Sequence, residues 1–377
     1  MAKQSGKSEG GGPAVLFLIF LLAALLKGLW APEVAERAAD SAGGLEVVDM
    51  TGRLVHLDGP ARRAVLLTPL SWHYLTVTRS DESIIMVPPY MKHEFAESVL
   101  GRIFPALAAK PVSIFDTKSA ALFSAEQSLL MNPDVILSWD YLARDLEKIK
   151  FRGLIKITGD GRYKEKLYEV LGELTGQSER VEQMWARYRA NESALFAKIP
   201  AEAPEKTLIV IGNDNFALWR GQPYKKYAAD VKKLRARNMA EKISNTSGPL
   251  NMETLLQLDP DFIFINPFSS YFTAMTTADI YAHPVLRRLK AVSAKRVYHM
   301  PLGAARLEGP YEDYLFLLWS ALVMRPELDL ELDLRSAVRE TYLEAFGYEM
   351  SEDEIDAWLR FEENKFSAGY ARLGRPR

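Results

Sequence analysis

Aromatic side chains are concentrated in short segments that follow apolar, strand-like runs of the chain. Trp72, His73 and Tyr74 follow one such run, and Trp139 and Tyr141 follow another. Because ligands of open parallel sheets lie beyond the carboxyl ends of the strands, these segments predict a binding site. Aromatic walls of this kind suit a large planar or chelated ligand.

The same rule selects segments in the second half of the chain, and two of them contain an arginine. Arginine suits two-point contact with a carboxylate, a catecholate or an oxyanion. Arg306 lies in a loop rich in Gly and Ala, and Glu308 is an alternative partner for it within that loop. The predicted ligand-binding residues are Trp72, His73, Tyr74, Tyr90, Trp139, Tyr141, Trp219, Arg220, Tyr224, Tyr271, Arg306 and Tyr311.

The residue types exclude some other kinds of site and leave two open. The 377 residues include no cysteine, which excludes disulfides, thiolate nucleophiles and iron–sulfur clusters. The 5 histidines show no metal-ligand spacing, but His73 and His93 lie in candidate loops, so direct zinc binding stays an alternative. A haem ligand from His73, Tyr74 or Tyr90 is the second alternative, so the metal-binding residues are left open.

Neither catalysis nor nucleic-acid binding is indicated by the sequence. The chain has no G-x-S-x-G turn, phosphate-binding P-loop, H-E-x-x-H helix or G-x-G-x-x-G turn after a strand. The formal net charge of −2 lacks the basic excess of a nucleic-acid-binding protein. The sequence therefore predicts a binding protein that is not an enzyme and has no nucleic-acid partner.

One helix–strand unit occurs twice, as SAEQSLLMNPDVILSW at 124–139 and NMETLLQLDPDFIFIN at 251–266. Each copy has a polar residue that suits a helix N-cap, a first-turn glutamate, and a Pro-Asp pair that ends the helix before an apolar strand. The helix dipole alone favours a first-turn glutamate by about 0.3–1 kcal/mol, so capping is a sufficient explanation for either copy. The repeated acidic residues are Glu126, Glu253, Asp134 and Asp261.

The elements that position these residues follow a repeated α/β pattern. From about 162 to 199, apolar residues at helical spacing predict one long helix or a nearly continuous pair interrupted at Thr175-Gly176-Gln177. Ser351 and Glu354 have the spacing of a capping box. The first half is predicted to form a hairpin at LEVVDMTGRLVHL and strands at 64–67, 83–89, 134–138 and 153–159. The second half is predicted to form strands at 207–212, in the second repeat copy and at 296–301, and helices at 311–324, 334–346 and 352–361.

The first 43 residues predict export. Lys3 and Lys7 precede a glycine run, and the 13 residues AVLFLIFLLAALL form an apolar stretch. That length suits the core of a signal peptide better than a membrane span, which needs roughly 20 residues. The expected location is outside the cytoplasmic membrane, and retention of this segment as a membrane anchor is the alternative. The predicted organisation is a leader at 1–43, an α/β lobe at 44–160, a connecting helix at 161–199, and a second α/β lobe with terminal helices at 200–377.

In the order and spacing of its motifs, the chain resembles the periplasmic substrate-binding proteins of ABC importers for iron–siderophores, haem, cobalamin or related metal complexes. The similar stretches are the NPDVI and DPDFI units, the VVDMTGRLVHL opening, LGELTGQSERVEQM in the linking helix, RLKAVSAKRVYHMP and the closing helices. Together they extend over about 45–360.

The resemblance implies two parallel-sheet α/β lobes joined by one long rigid α-helix, with the ligand in the cleft between them. In this family an exposed glutamate on each lobe docks onto arginines of the membrane subunits, and by position these are Glu126 and Glu253 here. The implied partners are the ABC importer membrane subunits and a small-molecule metal chelate. The implied protein is a monomer without an intrinsic cofactor that works in the periplasm, with anchoring to the inner membrane by a retained leader as the alternative. Its implied ligand is an Fe(III) complex, with a ferric siderophore as the leading candidate.

Other ligands and two other classes of protein stay open at this point. Haem, cobalamin, and molybdate or tungstate are alternative ligands within the same family. An exported α/β enzyme and a membrane-anchored sensor are the remaining alternatives, and a retained leader would favour the sensor.

Overall fold

Two four-stranded parallel sheets and the helices around them make up the part of the chain that the computed structural model describes. The leader at 1–43 lies outside this part. Among the described residues, no helix is both long enough and apolar enough to cross a membrane. The described residues are 44–66, 70–87, 99–112, 125–159, 163–211, 218–219, 231–239, 249–250, 252–266, 276–304, 309–328 and 330–375.

A short antiparallel hairpin opens the described chain, which confirms the prediction. Its strands are β1 (Leu45–Val48) and β2 (Leu54–Leu57). Gly52 in the turn has a φ of 83°, a left-handed conformation that glycine adopts without steric cost. The Asp49 carboxylate accepts a hydrogen bond from the backbone N–H of Arg53 at 3.1 Å, so a side chain closes the turn.

The first sheet confirms four predicted strands, with ends that differ by a few residues. Its strands are β3 (Ala64–Leu66), β4 (Ile84–Met86), β5 (Val135–Trp139) and β6 (Leu154–Ile157). All are parallel, in the order β4-β3-β5-β6. The helices around this sheet are α1 (Ser71–Thr78), α2 (Val99–Ile103), α3 (Ala125–Leu130) and α4 (Arg144–Lys148), with short 3-10 helices at Pro105–Ala109 and Asp140–Leu142.

Helix α1 corrects one expectation from the sequence. The sequence places His73 in a candidate loop, but the chain is helical from Ser71, and this helix ends at Arg79, which has a φ of 55°. All of the helix before Thr78 is buried. A helix that is buried on every side has no amphipathic period, so the sequence pattern could not identify it.

Two helices joined by a tight turn connect the sheets. They are α5 (Tyr163–Thr175) and α6 (Ser178–Ala197), which confirms the nearly continuous pair and corrects the single long helix. Gly176 has a φ of 69°, the left-handed conformation that commonly ends a helix. A Cβ atom on Gly172 would lie 3.1 Å from the Cα of Ser178, so this glycine lets the two helices meet closely.

The second sheet also has four parallel strands, and the predicted strands within it are confirmed. The four strands are β7 (Lys206–Ile211), β9 (Ala236–Asn238), β11 (Phe262–Ile265) and β12 (Val297–His299), in the order β12-β11-β7-β9, and β9 was not predicted. A separate antiparallel pair is formed by β8 (Leu218–Trp219) and β10 (Pro249–Leu250). The helices around this sheet are α7 (Met252–Leu258), α8 (Thr277–Ala282) and α9 (Lys290–Ser293), with a 3-10 helix at Leu286–Arg288.

The C-terminal part is helical, as predicted. The capping box is confirmed, because the side chain of Ser351 accepts a bond from the N–H of Glu354 and the glutamate bonds back to the Ser351 N–H. The last predicted helix is shorter than expected, since the chain turns at Arg360 with a φ of 50°. The helices are α10 (Pro310–Met324), α11 (Leu334–Phe346), α12 (Glu352–Trp358) and α13 (Phe361–Asn364), followed by a 3-10 helix at Tyr370–Leu373.

The hydrophobic core is continuous between the two sheets. Leu137 and Ile155 of the first sheet belong to the same buried cluster as Val210 and Phe264 of the second. The opposite face of each sheet has its own smaller cluster, because successive side chains of a strand point to opposite faces. Burial on both faces is typical of parallel sheets. The division of the chain at residues 160 and 200 stays a prediction.

Candidate functional site

The order of the strands defines the candidate ligand edge of each sheet. In the first sheet the chain leaves β3 toward β4 on one side and returns to β5 on the other. The second sheet repeats this reversal between β7 and β11. Such a reversal leaves a crevice at the carboxyl ends of the strands, which is where ligands of open α/β sheets bind.

Three aromatic rings meet at this edge of the first sheet. Trp139 ends β5, and its ring stacks on that of Tyr141 with 6.5 Å between centroids and 20° between planes. The ring of Tyr163, the first residue of α5, has its centroid 6.2 Å from that of Trp139. Tyr141 is 76% exposed, so the group presents an aromatic surface to solvent. We call these three residues the aromatic platform.

The structure thus brings together two predicted site residues and adds a third. Trp139 and Tyr141 were predicted from their place after an apolar strand. Tyr163 was missed because it belongs to the helical pattern of α5. Its position directly after the segment that follows β6 is the signal that could have identified it, since helices of α/β units begin at the ligand edge.

A lysine beside the aromatic platform is held between two carboxylates. The Nζ atom of Lys156 is 2.8 Å from the Oδ1 of Asp140 and 2.9 Å from the Oε1 of Glu147. Hydrogen bonding to Asp140 first, and then to Glu147, raises the pKa of Lys156. Lys156 therefore fixes the turn before Tyr141, and its charge is balanced within the first sheet.

Trp72, His73 and Tyr74 lie on α1 and pack into the core. The Nδ1 atom of His73 is 3.2 Å from the hydroxyl oxygen of Tyr168. The hydroxyl of Tyr74 is 2.9 Å from the Oγ of Ser83, and burial raises the pKa of Tyr74, which favours the protonated phenol. The three side chains thus have packing partners within the protein, and their contact with a ligand stays a prediction.

Tyr311 lies in the first turn of α10 rather than in a loop, and it is 7% exposed. Its hydroxyl donates a hydrogen bond to the Oε1 of Glu344 at 3.2 Å, and burial raises its pKa. A neighbouring cavity between α1, α10 and α11 has a volume of about 10 Å³ and is lined in part by Thr76, Glu312 and Tyr342. That volume suits one water molecule, so a chelate does not fit there.

The other predicted ligand residues are not described by the structure. Trp219 is described only through its backbone, which pairs with Pro249 in the ladder of β8 and β10. The roles of this group stay predictions. The residues that lie outside the described part are Tyr90, His93, Arg220, Tyr224, Tyr271, Arg306 and Glu308.

The repeated glutamates occupy the same place in their helices. Glu126 is the second residue of α3, and Glu253 is the second residue of α7. Glu253 is exposed, whereas the side chain of Glu126 lies outside the described part of the structure. The two helices precede β5 and β11, which occupy equivalent places in the two sheets. The two glutamates therefore have equivalent positions in the two lobes, and their role in docking stays a prediction.

The repeated aspartates stabilise the starts of the strands. The Oδ2 atom of Asp261 accepts hydrogen bonds from the backbone N–H and the hydroxyl of Thr207, each at 2.8 Å. The Oδ2 atom of Asp134 accepts one from the backbone N–H of Arg62 at 3.0 Å. Each aspartate thus ties its own strand to the start of the neighbouring strand, at the edge opposite to the aromatic platform.

No group of three His, Asp or Glu side chains within the described residues could hold a metal ion. His299, at the end of β12, is 2% exposed, and neither of its ring nitrogens has a hydrogen-bond partner. Burial, with a smaller contribution from Arg360, lowers the pKa of His299 to about 3. The described histidines at the sheet edges, His73 and His299, are therefore core residues.

Sequence comparison identifies relatives of this chain. The profile of the family described as "Periplasmic binding protein" matches residues 105–302. The iron(3+)-hydroxamate-binding protein FhuD of Bacillus subtilis (strain 168) is 22% identical over 192 residues, which are 48% of this chain and 59% of that protein. The chain thus spans less than two thirds of the length of that relative.

Several solved structures share the fold. A periplasmic solute-binding protein of Veillonella parvula DSM 2008 has a TM-score of 0.75 at 22% identity, with 86% of this chain and 99% of that chain covered. FepB of Veillonella parvula, a TroA-like periplasmic binding protein, has a TM-score of 0.60 at 22% identity, with 81% and 97% covered. The molybdate-binding protein MolA of Haemophilus influenzae has a TM-score of 0.65 at 17% identity, with 81% and 99% covered.

These comparisons confirm the resemblance and the fold class that were predicted from the sequence. The solved relatives are two-lobed binding proteins, and the two parallel sheets found here correspond to that architecture. The family and its structural neighbours bind solutes and are not enzymes, which confirms that prediction as well. The matched region is just over half of the chain, and on this basis the chain belongs to the periplasmic binding protein family.

Proposed function

We propose that this protein is the exported solute-binding component of an ABC importer that takes up a metal chelate, with a ferric siderophore as the leading candidate. The chelate binds in the cleft between the two sheets and is delivered to the membrane subunits. The observation that supports this proposal best is the aromatic platform, with its largely exposed Tyr141, at the ligand edge of the first sheet. Flat aromatic surface suits a chelate with aromatic or planar groups.

A chelate fits the described residues better than a bare metal ion does. Bare transition-metal ions need several His, Asp, Glu or Cys ligands at close range. The described residues form no such group, and the chain has no cysteine. In this proposal Fe(III) arrives already coordinated by its chelator, and the protein has no resident cofactor.

We assign recognition of a negatively charged ligand to two arginines. Ferric siderophore complexes that have a net negative charge would need a cation in the cleft, and Lys156 is already balanced by two carboxylates. Arg220 and Arg306 are the proposed cations, because both belong to segments that follow strands of the second sheet. A guanidinium suits two-point contact with carboxylate or catecholate oxygens.

Delivery to the importer is assigned to the repeated glutamates. Glu126 and Glu253 occupy matching positions on short helices of the two lobes. Charged groups at the rim of an interface mainly set the register and the association rate. We propose that the membrane subunits contact both glutamates at once and that the protein works as a monomer in the periplasm.

A titration panel tests the proposed ligand class. Ferric hydroxamate and ferric catecholate siderophores, haem, cobalamin and molybdate are added in turn while the tryptophan fluorescence is measured. Trp139 lies in the aromatic platform, so a bound chelate should quench its emission. We expect saturable quenching by a ferric siderophore, and a Trp139→Phe variant should show less quenching while calorimetry still detects binding.

The other members of the panel are alternative outcomes. Quenching by haem or cobalamin alone would support the aromatic platform as the binding site and would replace the ferric siderophore as the proposed ligand. Binding of molybdate alone would shift the proposal to an oxyanion, for which MolA of Haemophilus influenzae provides the structural precedent. Silence across the whole panel would contradict the proposal.

A further inference from the structure

The C-terminal helices contact helices beside the first sheet as well as the segment after β12, although they follow the second sheet in the sequence. They also follow residue 302, where the match to the family profile ends. We infer that α11 and α12 form a second connection between the two lobes, in addition to α5 and α6, and hold the sheets at one fixed separation. The inference does not depend on the identity of the ligand, so its test can fail or succeed independently of the proposed function.

On one side, these helices are attached to the segment after β12. The N–H of Leu302 donates a hydrogen bond to the carbonyl of Trp358 at 2.9 Å. The N–H of Ala304 donates to the hydroxyl of Tyr342 at 2.8 Å, and that hydroxyl donates in turn to the Oε1 of Glu312 at 2.7 Å. Helices α11 and α12 are therefore fixed to the ligand edge of the second sheet.

On the other side, Arg79 at the end of α1 and Arg180 in the first turn of α6 bind the end of α11. The Nη2 atom of Arg180 is 2.9 Å from the carbonyl oxygen of Ala345, and the Nε atom of Arg79 is 3.2 Å from the same oxygen. Arg180 also donates to the carbonyls of Thr76 and Val77, at 3.2 and 3.1 Å, in the last turn of α1. The final carbonyls of a helix have no partner within it and lie at the negative end of its dipole. A single guanidinium thus joins the C-termini of α1 and α11.

A second contact joins α2 to the C-terminal helices. The Nη1 atom of Arg102 is 2.9 Å from the Oε1 of Glu354, whose side chain is only 6% exposed. The rings of Phe104 and Phe346 meet edge to face with centroids 6.0 Å apart. Moving the first sheet away would leave a buried carboxylate without its guanidinium, which is unfavourable.

A third contact lies between α5 and α10. The Nζ atom of Lys164 is 3.0 Å from the Oδ1 of Asp313, and both side chains are buried. Gly309 lies so close to α5 that a Cβ atom there would be 2.1 Å from the hydroxyl of Tyr168. Separating these helices would break a buried ion pair, which is unfavourable.

The contacts surround the continuous core and act together against opening of the cleft. A rotation of one sheet against the other would break the arginine contacts, both ion pairs and part of the shared apolar cluster. The protein therefore offers its ligand a cleft of preset width. A preorganised site has less freedom to lose on binding, which favours affinity and selects ligands by size.

Distance measurement between two spin labels tests the inference on the full chain. No cysteine occurs naturally, so Leu130→Cys and Gln257→Cys provide the two labelling positions. Leu130 on α3 is 80% exposed, and Gln257 on α7 is also exposed, so the labels report on different sheets. We expect one narrow distance distribution that does not change when ferric hydroxamate siderophore or haem is added. Two resolved distances, or a broad distribution, would overturn the inference.

Variants in the same labelled protein distinguish the contribution of α11 and α12 to the fixed separation from that of α5 and α6. Arg79→Gln combined with Arg102→Gln should broaden the distance distribution, because the side-chain links from α1 and α2 to α11 and α12 are then lost while α5 and α6 stay unchanged. Arg102→Gln alone, at a side chain that is 54% exposed, should fold normally and broaden it less. The matched control is Arg360→Gln, whose partner Glu363 lies on the adjacent helical turn, and it should leave the width unchanged. An unchanged width in the double variant, with the circular dichroism of the parent, would overturn the assignment to α11 and α12.

Discussion

Tyr141 and Trp139 place stacked aromatic surface at the end of a buried strand, and Tyr141 is largely exposed there. The strand is held by the sheet, and the turn before Tyr141 is held by the ion pairs of Lys156. The rings are thus positioned before any ligand arrives. A rigid aromatic surface that loses little freedom on contact is well suited to recognition.

Truncation of Tyr141 measures the contribution of the aromatic platform. Tyr141→Ala should weaken binding of the ligand found in the panel by about 3- to 10-fold, the scale of one aromatic contact. The midpoint of thermal unfolding should stay unchanged, because the side chain is mostly in solvent. Phe366→Ala is the control, since Phe366 is 61% exposed on the C-terminal segment and should not affect affinity. Equal affinity of Tyr141→Ala and the parent protein would remove the ring from the binding site.

His299 predicts a dependence of stability on pH. Its pKa falls from 6.5 to about 3 on folding because burial disfavours the imidazolium. Above pH 6.5 both the folded and the unfolded states are neutral; below it the unfolded state takes up a proton that the folded state does not. The free energy of unfolding should therefore decrease by about 2 kcal/mol between pH 7.5 and pH 5 through this residue.

Urea unfolding at the two pH values measures this effect. His299→Leu should remove about 2 kcal/mol from the difference between pH 7.5 and pH 5. His56→Gln, in a side chain that is 58% exposed on the hairpin, is the matched control and should leave that difference close to the parental value. The same pH dependence in His299→Leu and the parent would show that other groups cause the acid sensitivity.

At the scale of elements, the two copies of the helix–strand unit share the same turn but differ in the hydrogen bonds that their aspartates accept. In both copies the residue before the proline has a positive φ, 49° at Asn132 and 38° at Asp259. Asn and Asp tolerate this left-handed conformation better than most residues, which explains their presence at both turns. The aspartate after the proline then ties two strands together, with two hydrogen bonds in the second copy and one in the first.

This difference predicts an order of stability losses. Asp261→Ala should lower the free energy of unfolding by about 1–3 kcal/mol, because it leaves the N–H and the hydroxyl of Thr207 without their acceptor. Asp134→Ala should lower it less, since one N–H at an exposed position is affected. Chemical denaturation of both variants at neutral pH measures the two values. A larger loss for Asp134→Ala would contradict the roles given to the two turns.

At the scale of the whole molecule, the matched glutamates and the fixed separation of the sheets belong to one arrangement. Two charges on separate lobes can be recognised together only if the distance between them is defined. The contacts of α5, α6, α11 and α12 define this distance. Docking then depends on geometry that the free protein already has.

Charge reversal tests the docking role without disturbing the cleft. Glu126→Lys combined with Glu253→Lys should abolish uptake of the ligand by cells, while the affinity of the purified protein stays unchanged. Glu182→Lys, at an exposed position of α6, is the matched control and should support normal uptake. Reduced affinity in the purified double variant would place the glutamates in the ligand site instead, and normal uptake would exclude their role in docking.

The sequence by itself determined the features that depend on local patterns. Apolar runs identified the strands of both sheets except β9, helical spacing identified α5, α6 and the C-terminal helices, and Ser351 with Glu354 identified a helix start. The repeat and the order of motifs were sufficient to identify the family. These signals lie within a few residues of each other, so no knowledge of the folded chain was needed.

Only the tertiary structure decided which residues meet. Helix α1 is buried on all sides, so its residues showed no helical period and were expected in a loop. Tyr163 joins Trp139 because two strands end side by side, which periodicity within one segment does not reveal. Arg180 binds a carbonyl 165 residues away at Ala345, and that pairing depends on how two helices pack against a shared core. Contacts between distant parts of the chain are set by packing, and packing is a property of the whole fold.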